Sequence, residues 1–383
     1  MIKTGKTGLL IMNILILSWR DPKHPLAGGA EQVMHEHAKG WVEAGHNVTL
    51  FASHFKYAPR CQVLDGVTVI RYGFQYLGVH LAAFFWYLFG KHAHFDLVVD
   101  QFHGIPFFTP FYARVPKLAV LQEVAREVWL INHLPWPFSW IVGWMGYLSE
   151  PLVFIFYKHA PFMVGSESAK QDLIKLGIGD NNITVVPHGV LIRKPKPVPQ
   201  KEKVKSIVFL GALAKDKGVE DAIKAFGLLT KFGKFEFWII GRGSVSYIAK
   251  LKKLASCVGV EKSTIFWGFV SDKKKFELLA RAHVMVNPSV REGWGLVNIE
   301  ANAMGTPVVA YRSPGLVDSV KDGVSGVLCY HNTPEALAEA IFALLKDASY
   351  LASISKTSVA WSKQFTWVES RARSLKLIEK IAT

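Results

Sequence analysis

Short apolar runs return along this chain at intervals filled by amphipathic segments of helix length, and that alternation restricts the fold more than any other feature. In the first half, Asn13–Leu17, Asn47–Ala52, Val67–Arg71, Leu97–Val99, Lys117–Leu121, Phe162–Val164 and Ile183–Val186 read as strands. In the second half, Ser206–Leu210, Glu236–Ile240, Ile265–Trp267, Val284–Asn287, Pro307–Ala310 and Gly326–Cys329 do so. Strand–helix alternation sustained over this length predicts an α/β chain with parallel sheets covered on both faces. The stretch Arg193 to Lys205 is dense in Pro and Lys and lacks apolar periodicity, so it reads as a linker between near-equal halves. A length of 383 residues suits two domains. Two such sheets facing a central cleft would bring strand carboxyl ends together, where ligands of parallel sheets bind.

Composition narrows the class of partner. Lys and Arg number 45 against 30 Asp and Glu, a formal net charge of +15. That balance favours anionic partners: phosphorylated substrates, anionic lipid or nucleic acid. No zinc-ligand spacing and no nucleic-acid module accompanies the charge, so no nucleic-acid partner is expected. The 3 cysteines, Cys61, Cys257 and Cys329, lie far apart and are odd in number, which fits a reducing, cytoplasmic location and no disulfide framework. The apolar run Leu9 to Leu17 leads into Ser18-Trp19-Arg20-Asp21 without a cleavage-type pattern. It reads as a first buried strand rather than a signal peptide, with the residues before Met12 a dispensable extension.

Two further stretches are rich in apolar and aromatic residues. Tyr76 to Phe89 falls short of the ~20 residues needed to span a bilayer. Trp129 to Tyr157 is longer, but Pro135, Pro137, Glu150 and Pro151 are expected to break it. Trp136, Trp140 and Trp144 recur every four residues and share one helical face. That face reads either as core or as a surface resting among lipid headgroups.

The densest chemistry lies in Asn287-Pro-Ser-Val-Arg-Glu-Gly-Trp-Gly295 and the helix expected from Leu296 to Met304. Gly293 and Gly295 let backbone approach a ligand closely. The amides of Leu296 and Val297 at the helix start can hold a diphosphate. Glu292 in the loop and Glu300 on the helix can both accept hydrogen bonds from sugar hydroxyls. Glu300 among apolar neighbours would be costly to bury without a partner.

This segment closely resembles the paired-glutamate motif, E-x7-E, of glycosyltransferase family 4 in the GT-B fold. Other segments follow the family pattern in order: Gly28-Gly-Ala-Glu31, Val186-Pro-His-Gly-Val190, Gly211-Ala-Leu-Ala-Lys-Asp-Lys-Gly218, Gly241-Arg-Gly243 and Phe365-Thr-Trp367. The resemblance implies two Rossmann-like domains: residues 1–195 on the acceptor side and residues 203–360 binding a nucleotide-sugar. Residues 361–383 would form a helix crossing back to the first. It implies a retaining glycosyltransferase, with Glu300 on the donor ribose, Glu292 on the donor sugar, and Lys217 neutralising the departing diphosphate. The backbone of Gly293, Trp294, Gly295, Leu296 and Val297 would bind sugar and diphosphate. His103 matches the family's active-site histidine, and Gly28 and Gly29 would line the cleft. The acceptor would be a glycan or a lipid-linked molecule, with peripheral association to anionic membrane on the cytoplasmic face.

The chain also departs from the family. Ala212 stands where an arginine commonly binds diphosphate, so Lys215 or Arg242 is expected to compensate. Leu121-Gln-Glu-Val lacks the His-Asp often found after that strand. No Asp-x-Asp occurs, and no carboxylate is obviously placed as a nucleophile; the expectation is therefore no cofactor, no metal and front-face attack. His188 reads as structural, Glu31 as a favourable carboxylate at a helix start, and Lys273-Lys-Lys275 as a solvated face. Two other functions share the architecture: a sugar-nucleotide epimerase and a non-catalytic sugar-nucleotide-binding protein.

Overall fold

A computed structural model describes residues 11–75, 77–102, 104–132 and 136–382. His103 and the residues before Met12 taken as an extension, all but Ile11, lie outside the described residues. The chain divides into two compact units, with breaks at Gly189/Val190 and Thr366/Trp367.

The first unit contains β1 (Asn13–Leu17), α1 (Gly29–Glu43), β2 (Asn47–Ala52), β3 (Cys61–Leu64), β4 (Val67–Arg71) and α2 (Leu77–Phe89). It continues through β5 (Leu97–Phe102), β6 (Lys117–Leu121), α3 (Phe138–Phe156), β7 (Phe162–Val164), α4 (Glu167–Lys175) and β8 (Ile183–Val185). The 8-stranded sheet has the order β3-β4-β2-β1-β5-β6-β7-β8. Every pairing is parallel except β3 with β4. Central strands have both faces covered: every residue of β5 is buried, the apolar run Leu97–Val99 and the polar Asp100 and Gln101 alike.

The edge strand β3 was not expected from apolar runs. Its residues alternate between exposed and half-buried, as an edge permits. The signal that could have found it is Asp65-Gly66, where both residues have positive φ, 49° and 84°. That is the two-residue hairpin turn favoured by the twist of antiparallel strands. Asp65 is also held by His35, whose Nε2 lies 2.9 Å from its carboxylate.

The C-terminal helix Trp367–Ala382 belongs to this first unit and packs on α1. Leu377 and Ile378 enter the same core as Met34, Ala38 and Trp41. Arg371 pairs with Glu36 and Glu43 of α1. Gly40 makes the close approach possible, because a Cβ there would lie 2.9 Å from the Arg371 side chain.

The second unit contains β9 (Lys205–Leu210), α5 (Val219–Leu229), β10 (Phe235–Ile240), α6 (Val245–Cys257), β11 (Thr264–Gly268) and α7 (Asp272–Arg281). It continues through β12 (Val284–Asn287), α8 (Leu296–Ala303), β13 (Val308–Ala310), α9 (Leu316–Ser319), β14 (Gly326–Leu328), α10 (Pro334–Lys346) and α11 (Ala348–Ser362). Its 6-stranded sheet is parallel, in the order β11-β10-β9-β12-β13-β14. Helix α5 turns Val219, Ala222, Ile223 and Phe226 into the core and keeps Glu220 and Lys224 outside, the pattern of a sheet-covering helix. Ser244, Ser271, Thr333 and Asp347 cap the helices that follow them, each accepting from an N–H three residues on.

Two readings of the aromatic stretches are corrected. Glu150 and Pro151 do not break the second stretch, because α3 runs unbroken through both as a 19-residue helix. By length and apolarity it could cross a membrane. Nor is the tryptophan face core: Trp136 is 84% exposed and Trp140 64%.

Candidate functional site

Strand order fixes where each unit can hold a ligand. In the second sheet the chain moves outward from β9 through β10 to β11, then restarts beside β9 at β12. The loops leaving β9 and β12 therefore diverge from adjacent carboxyl ends, which is the ligand crevice of such a sheet. They are the two loops the sequence singled out, Gly211–Gly218 and Pro288–Gly295.

The two loops are joined directly. The Val290 N–H donates to the Asp216 carbonyl at 2.8 Å, and Ser289 Oγ donates to the same oxygen at 3.1 Å. Gly218 has φ 70°, and a Cβ there would lie 2.1 Å from the Pro288 carbonyl oxygen. Only glycine allows that approach without shifting a loop. Lys217 Nζ then reaches Glu292 Oε1 at 3.0 Å, with both side chains about four-fifths covered.

A buried polar chain sets the loop at the start of α8. Asn287 at the end of β12 donates to Asn298 Oδ1 at 2.9 Å, and Asn298 donates to Ser319 Oγ at 2.8 Å. Gly295 adopts the left-handed conformation, φ 91°, immediately before the helix. A Cβ there would lie 2.8 Å from the Asn298 amide. The first helical amides, Leu296 and Val297, belong to half-exposed residues and lack intrahelical partners by position. The Trp294 side chain is 4% exposed and packs edge-on to Phe365, with ring centroids 4.7 Å apart. What it contributes to the loop is backbone.

Glu300 lies on the second turn of α8, and its partner was missed. Lys275 Nζ stands 2.6 Å from Glu300 Oε1, so the lysine run of α7 is not merely a solvated face. Burial pushes the Glu300 carboxyl up, and the Lys275 ammonium opposes that rise. The signal in the sequence was the cost of an unpartnered carboxylate among apolar neighbours.

Lys215 and Arg242 are the residues expected to compensate for Ala212. Lys215 is exposed. Arg242 lies over the Phe269 ring, 3.7 Å from its centroid, a cation–π contact at the end of the next strand over. The loop carrying Arg242 is tied to the first by the Leu213 N–H, which donates to the Arg242 carbonyl at 2.6 Å.

In the first unit the switch point lies between β1 and β5. The loop after β1 is held by a fully buried ion pair, with Arg71 Nε 2.7 Å from Asp21 Oδ2. Gly28 and Gly29 sit at the start of α1. Glu31 is more than a carboxylate favourable to the helix dipole. It accepts the Gly28 N–H at 2.7 Å and the Arg20 Nε–H at 2.7 Å, fixing the glycine turn. At the end of β5, Asp100 accepts the Phe107 N–H at 2.9 Å, Thr109 Oγ1 at 2.9 Å and the Tyr157 hydroxyl at 2.5 Å. These bonds brace the segment Phe107–Thr109 beyond β5, and burial raises the Asp100 carboxyl. His188 is buried with Nε2 2.8 Å from Gln122 Oε1, which fits its structural reading. Among the described residues no group of three or more His, Cys, Asp or Glu converges as metal ligands.

A two-unit α/β chain thus carries glycine-shaped loops and carboxylate–lysine pairs at a parallel-sheet switch point. The family Glycosyltransferase Family 4 matches residues 27–193, and Glycosyl transferases group 1 matches residues 192–361. On these tandem matches the chain belongs to glycosyltransferase family 4, with the GT-B fold. It is 36% identical over 169 residues to a D-inositol 3-phosphate glycosyltransferase of Acidothermus cellulolyticus, 42% of this chain and 38% of that protein. The chain spans from 28% to 60% of the length of the curated relatives it matches. Among solved structures, sucrose-phosphate synthase from Thermosynechococcus elongatus has a TM-score of 0.77 at 17% identity, over 96% of this chain and 98% of that one. Anabaena HepE in complex with UDP-glucose has a TM-score of 0.74 at 18% identity, over 96% and 100%.

Proposed function

We propose that the protein is a retaining, metal-independent glycosyltransferase taking a hexose from a nucleotide-diphosphate donor. The observation that carries this reading is the pairing of both motif glutamates with lysines at one switch point: Glu292 with Lys217 and Glu300 with Lys275. A donor would place its ribose at Glu300 and its sugar hydroxyls at Glu292. Its diphosphate would lie on the amides of Leu296 and Val297. Lys217 would exchange Glu292 for the diphosphate, releasing the carboxylate to the sugar. The glycosidic C–O bond to diphosphate then breaks while an acceptor hydroxyl bonds to the anomeric carbon on the same face. The acceptor's proton leaves with the diphosphate oxygen. Lys217 and the helix amides stabilise the charge that develops on the leaving group, the task a metal performs elsewhere. The acceptor in this reading is a glycan or a lipid-linked molecule. Free cysteines at 61, 257 and 329 support a cytoplasmic site of action.

The test is a donor screen by thermal shift, followed by an assay of released nucleotide with and without acceptors. Donor binding and acceptor-dependent release of nucleotide are expected. Acceptor-independent conversion of the donor sugar would favour an epimerase. Binding without any turnover would leave a non-catalytic protein.

A further inference from the structure

The loops that leave β1, β2 and β4 emerge at one edge of the first sheet, and a buried arginine ties them together. Arg71 closes β4. Its Nε and Nη2 donate to Asp21 in the loop after β1, at 2.7 and 3.1 Å. Its Nη1 donates to the Pro59 carbonyl in the loop after β2 at 2.9 Å, and to Gln62 Oε1 at 3.2 Å. The Phe55 ring lies against the guanidinium, its centroid 5.3 Å from Cζ. The His54 N–H donates to the Gly73 carbonyl at 2.9 Å, which joins the loop after β2 to the one after β4. A covered ion pair is stable only while its full set of bonds is kept. These loops therefore hold a fixed shape at the carboxyl edge of the strands, where parallel sheets bind ligands.

What this frame presents outward is aromatic and cationic. Tyr57 is 89% exposed and has φ 66°, a left-handed backbone that a bulky residue adopts only under strain. Lys56 Nζ lies 4.8 Å from the centroid of the Tyr57 ring, and Arg60 Cζ lies 4.9 Å from that of Tyr72. The carboxylates of the same loops are turned inward: Asp21 to Arg71, and Glu31 to Arg20 and the Gly28 N–H. Residues 53–60 and 72–75 contain no Asp or Glu. The exposed formal charges of the three loops, Lys23, Lys56 and Arg60, are thus all positive.

We propose that Lys56, Tyr57, Arg60 and Tyr72 form a subsite for an acidic saccharide, one with a carboxylate or a phosphate on its ring, and that this saccharide is the acceptor. The inference rests on the transferase reading and narrows its acceptor. The C–H face of a pyranose is apolar and lies well on an aromatic ring, while its substituents need polar partners. Here each ring carries a cation beside it, so ring face and charge are offered together. The planar fork of Arg60 suits a carboxylate or a phosphate better than a neutral hydroxyl. A neutral glycan would leave Lys56 and Arg60 without an anion, and a free anion would leave the rings unused. The strained backbone at Tyr57 holds its ring out in solvent, and such outliers gather at ligand sites.

The test is calorimetric titration of the full chain, without donor, with two pairs of saccharides. One pair is trigalacturonate and its methyl ester; the other is a mannose 6-phosphate-terminated oligosaccharide and its dephosphorylated form. In at least one pair the charged member should bind about tenfold more tightly, the usual worth of a charge-assisted bond. Raising the salt concentration should reduce that preference. The pair that discriminates tells carboxylate from phosphate. Lys56→Gln and Arg60→Gln should each remove most of the preference at unchanged Tm. Tyr57→Gly should weaken both members of the pair while Tm is kept or raised, because glycine adopts this backbone freely. Equal binding within both pairs, or no binding at all, would overturn the proposal, and the wild type alone decides this even if a variant unfolds. Inorganic phosphate binding as tightly as the oligosaccharides would reduce the edge to a general anion site and overturn it as well. So would a preference that survives in both glutamine variants. Acidic saccharide bound without transfer from any donor would keep the subsite and remove the transferase reading. Transfer to neutral glycans, with acidic ones neither bound nor used, would do the reverse.

Discussion

The ammonium of Lys275 donates to Glu300 at 2.6 Å, which ties α7 to the second turn of α8 and opposes the rise that burial imposes on this carboxyl. Without the lysine, burial would act on Glu300 unopposed and push its carboxyl further up. Glu300→Gln should keep the fold and weaken donor binding by about 1.5–3 kcal/mol, the worth of a hydrogen bond to a charged group. Lys275→Gln should weaken it at mildly acidic pH more than at neutral pH, because the carboxylate would take up its proton sooner. Calorimetric titration with a nucleotide-diphosphate sugar, across pH, reads both. Unchanged affinity in Glu300→Gln would remove the ribose role.

Gly218 links the two phosphate-side loops by an approach no side chain can share. Its φ is 70°, and a Cβ at this position would stand 2.1 Å from the Pro288 carbonyl oxygen, so Gly218→Ala must displace one loop. The expected cost is roughly 1–3 kcal/mol, typical of strain at a special backbone conformation. Lys217 immediately precedes it and would move with the loop, so donor affinity should fall as well. A variant with wild-type Tm and wild-type donor affinity would refute the steric argument.

The sheets were legible in the sequence because buried parallel strands carry continuous apolar runs, as Ile14–Leu17 of β1 and Leu97–Val99 of β5 show. Strand β3 was not, since an edge strand with one half-buried face lacks that run, and only its Asp65-Gly66 turn announced it. The glycine loops and both motif glutamates could be read from local chemistry. Lys275 could not, because its partner is distant in sequence and a lysine run on a helix ordinarily faces water. Glu150 misled for the opposite reason. A carboxylate and a proline within an apolar stretch suggest a break, yet the carboxylate turns inward to backbone amides and the helix continues. The burial of Trp294 and the exposure of Trp136 and Trp140 depend on tertiary packing that periodicity does not encode.

Leaving-group stabilisation by Lys217 makes a prediction about metal. Transfer should persist in EDTA, and Lys217→Gln should lower kcat by about a hundredfold or more, the usual effect of removing one stabilising donor. Magnesium should not rescue the variant. Loss of wild-type transfer in EDTA, restored by magnesium, would contradict the lysine's role.

The last prediction concerns acid stability and rests on two histidines in the first unit. His37 is fully buried on α1, its Nδ1 2.9 Å from Ser374 Oγ of the C-terminal helix. Its pKa is lowered to about 3, chiefly by burial, with His188 and Arg371 adding like charge. His188 is lowered to about 4 by burial. In the unfolded chain both would bind protons near the ordinary value of about 6.5. Between about 4 and 6.5 the unfolded state therefore holds more protons than the folded one. Stability then rises with pH through that window and is lost as pH falls, by up to roughly 1.4 kcal/mol per pH unit for each histidine. Buried carboxylates such as Asp100, raised by burial, contribute with the opposite sign, so the comparison must be between variants rather than with a calculated curve. His188→Gln removes one titrating group while offering an amide to Gln122. Urea unfolding of wild type and variant from pH 7 to pH 4 should show a shallower acid decline in the variant. Parallel curves would mean that the proton uptake lies elsewhere.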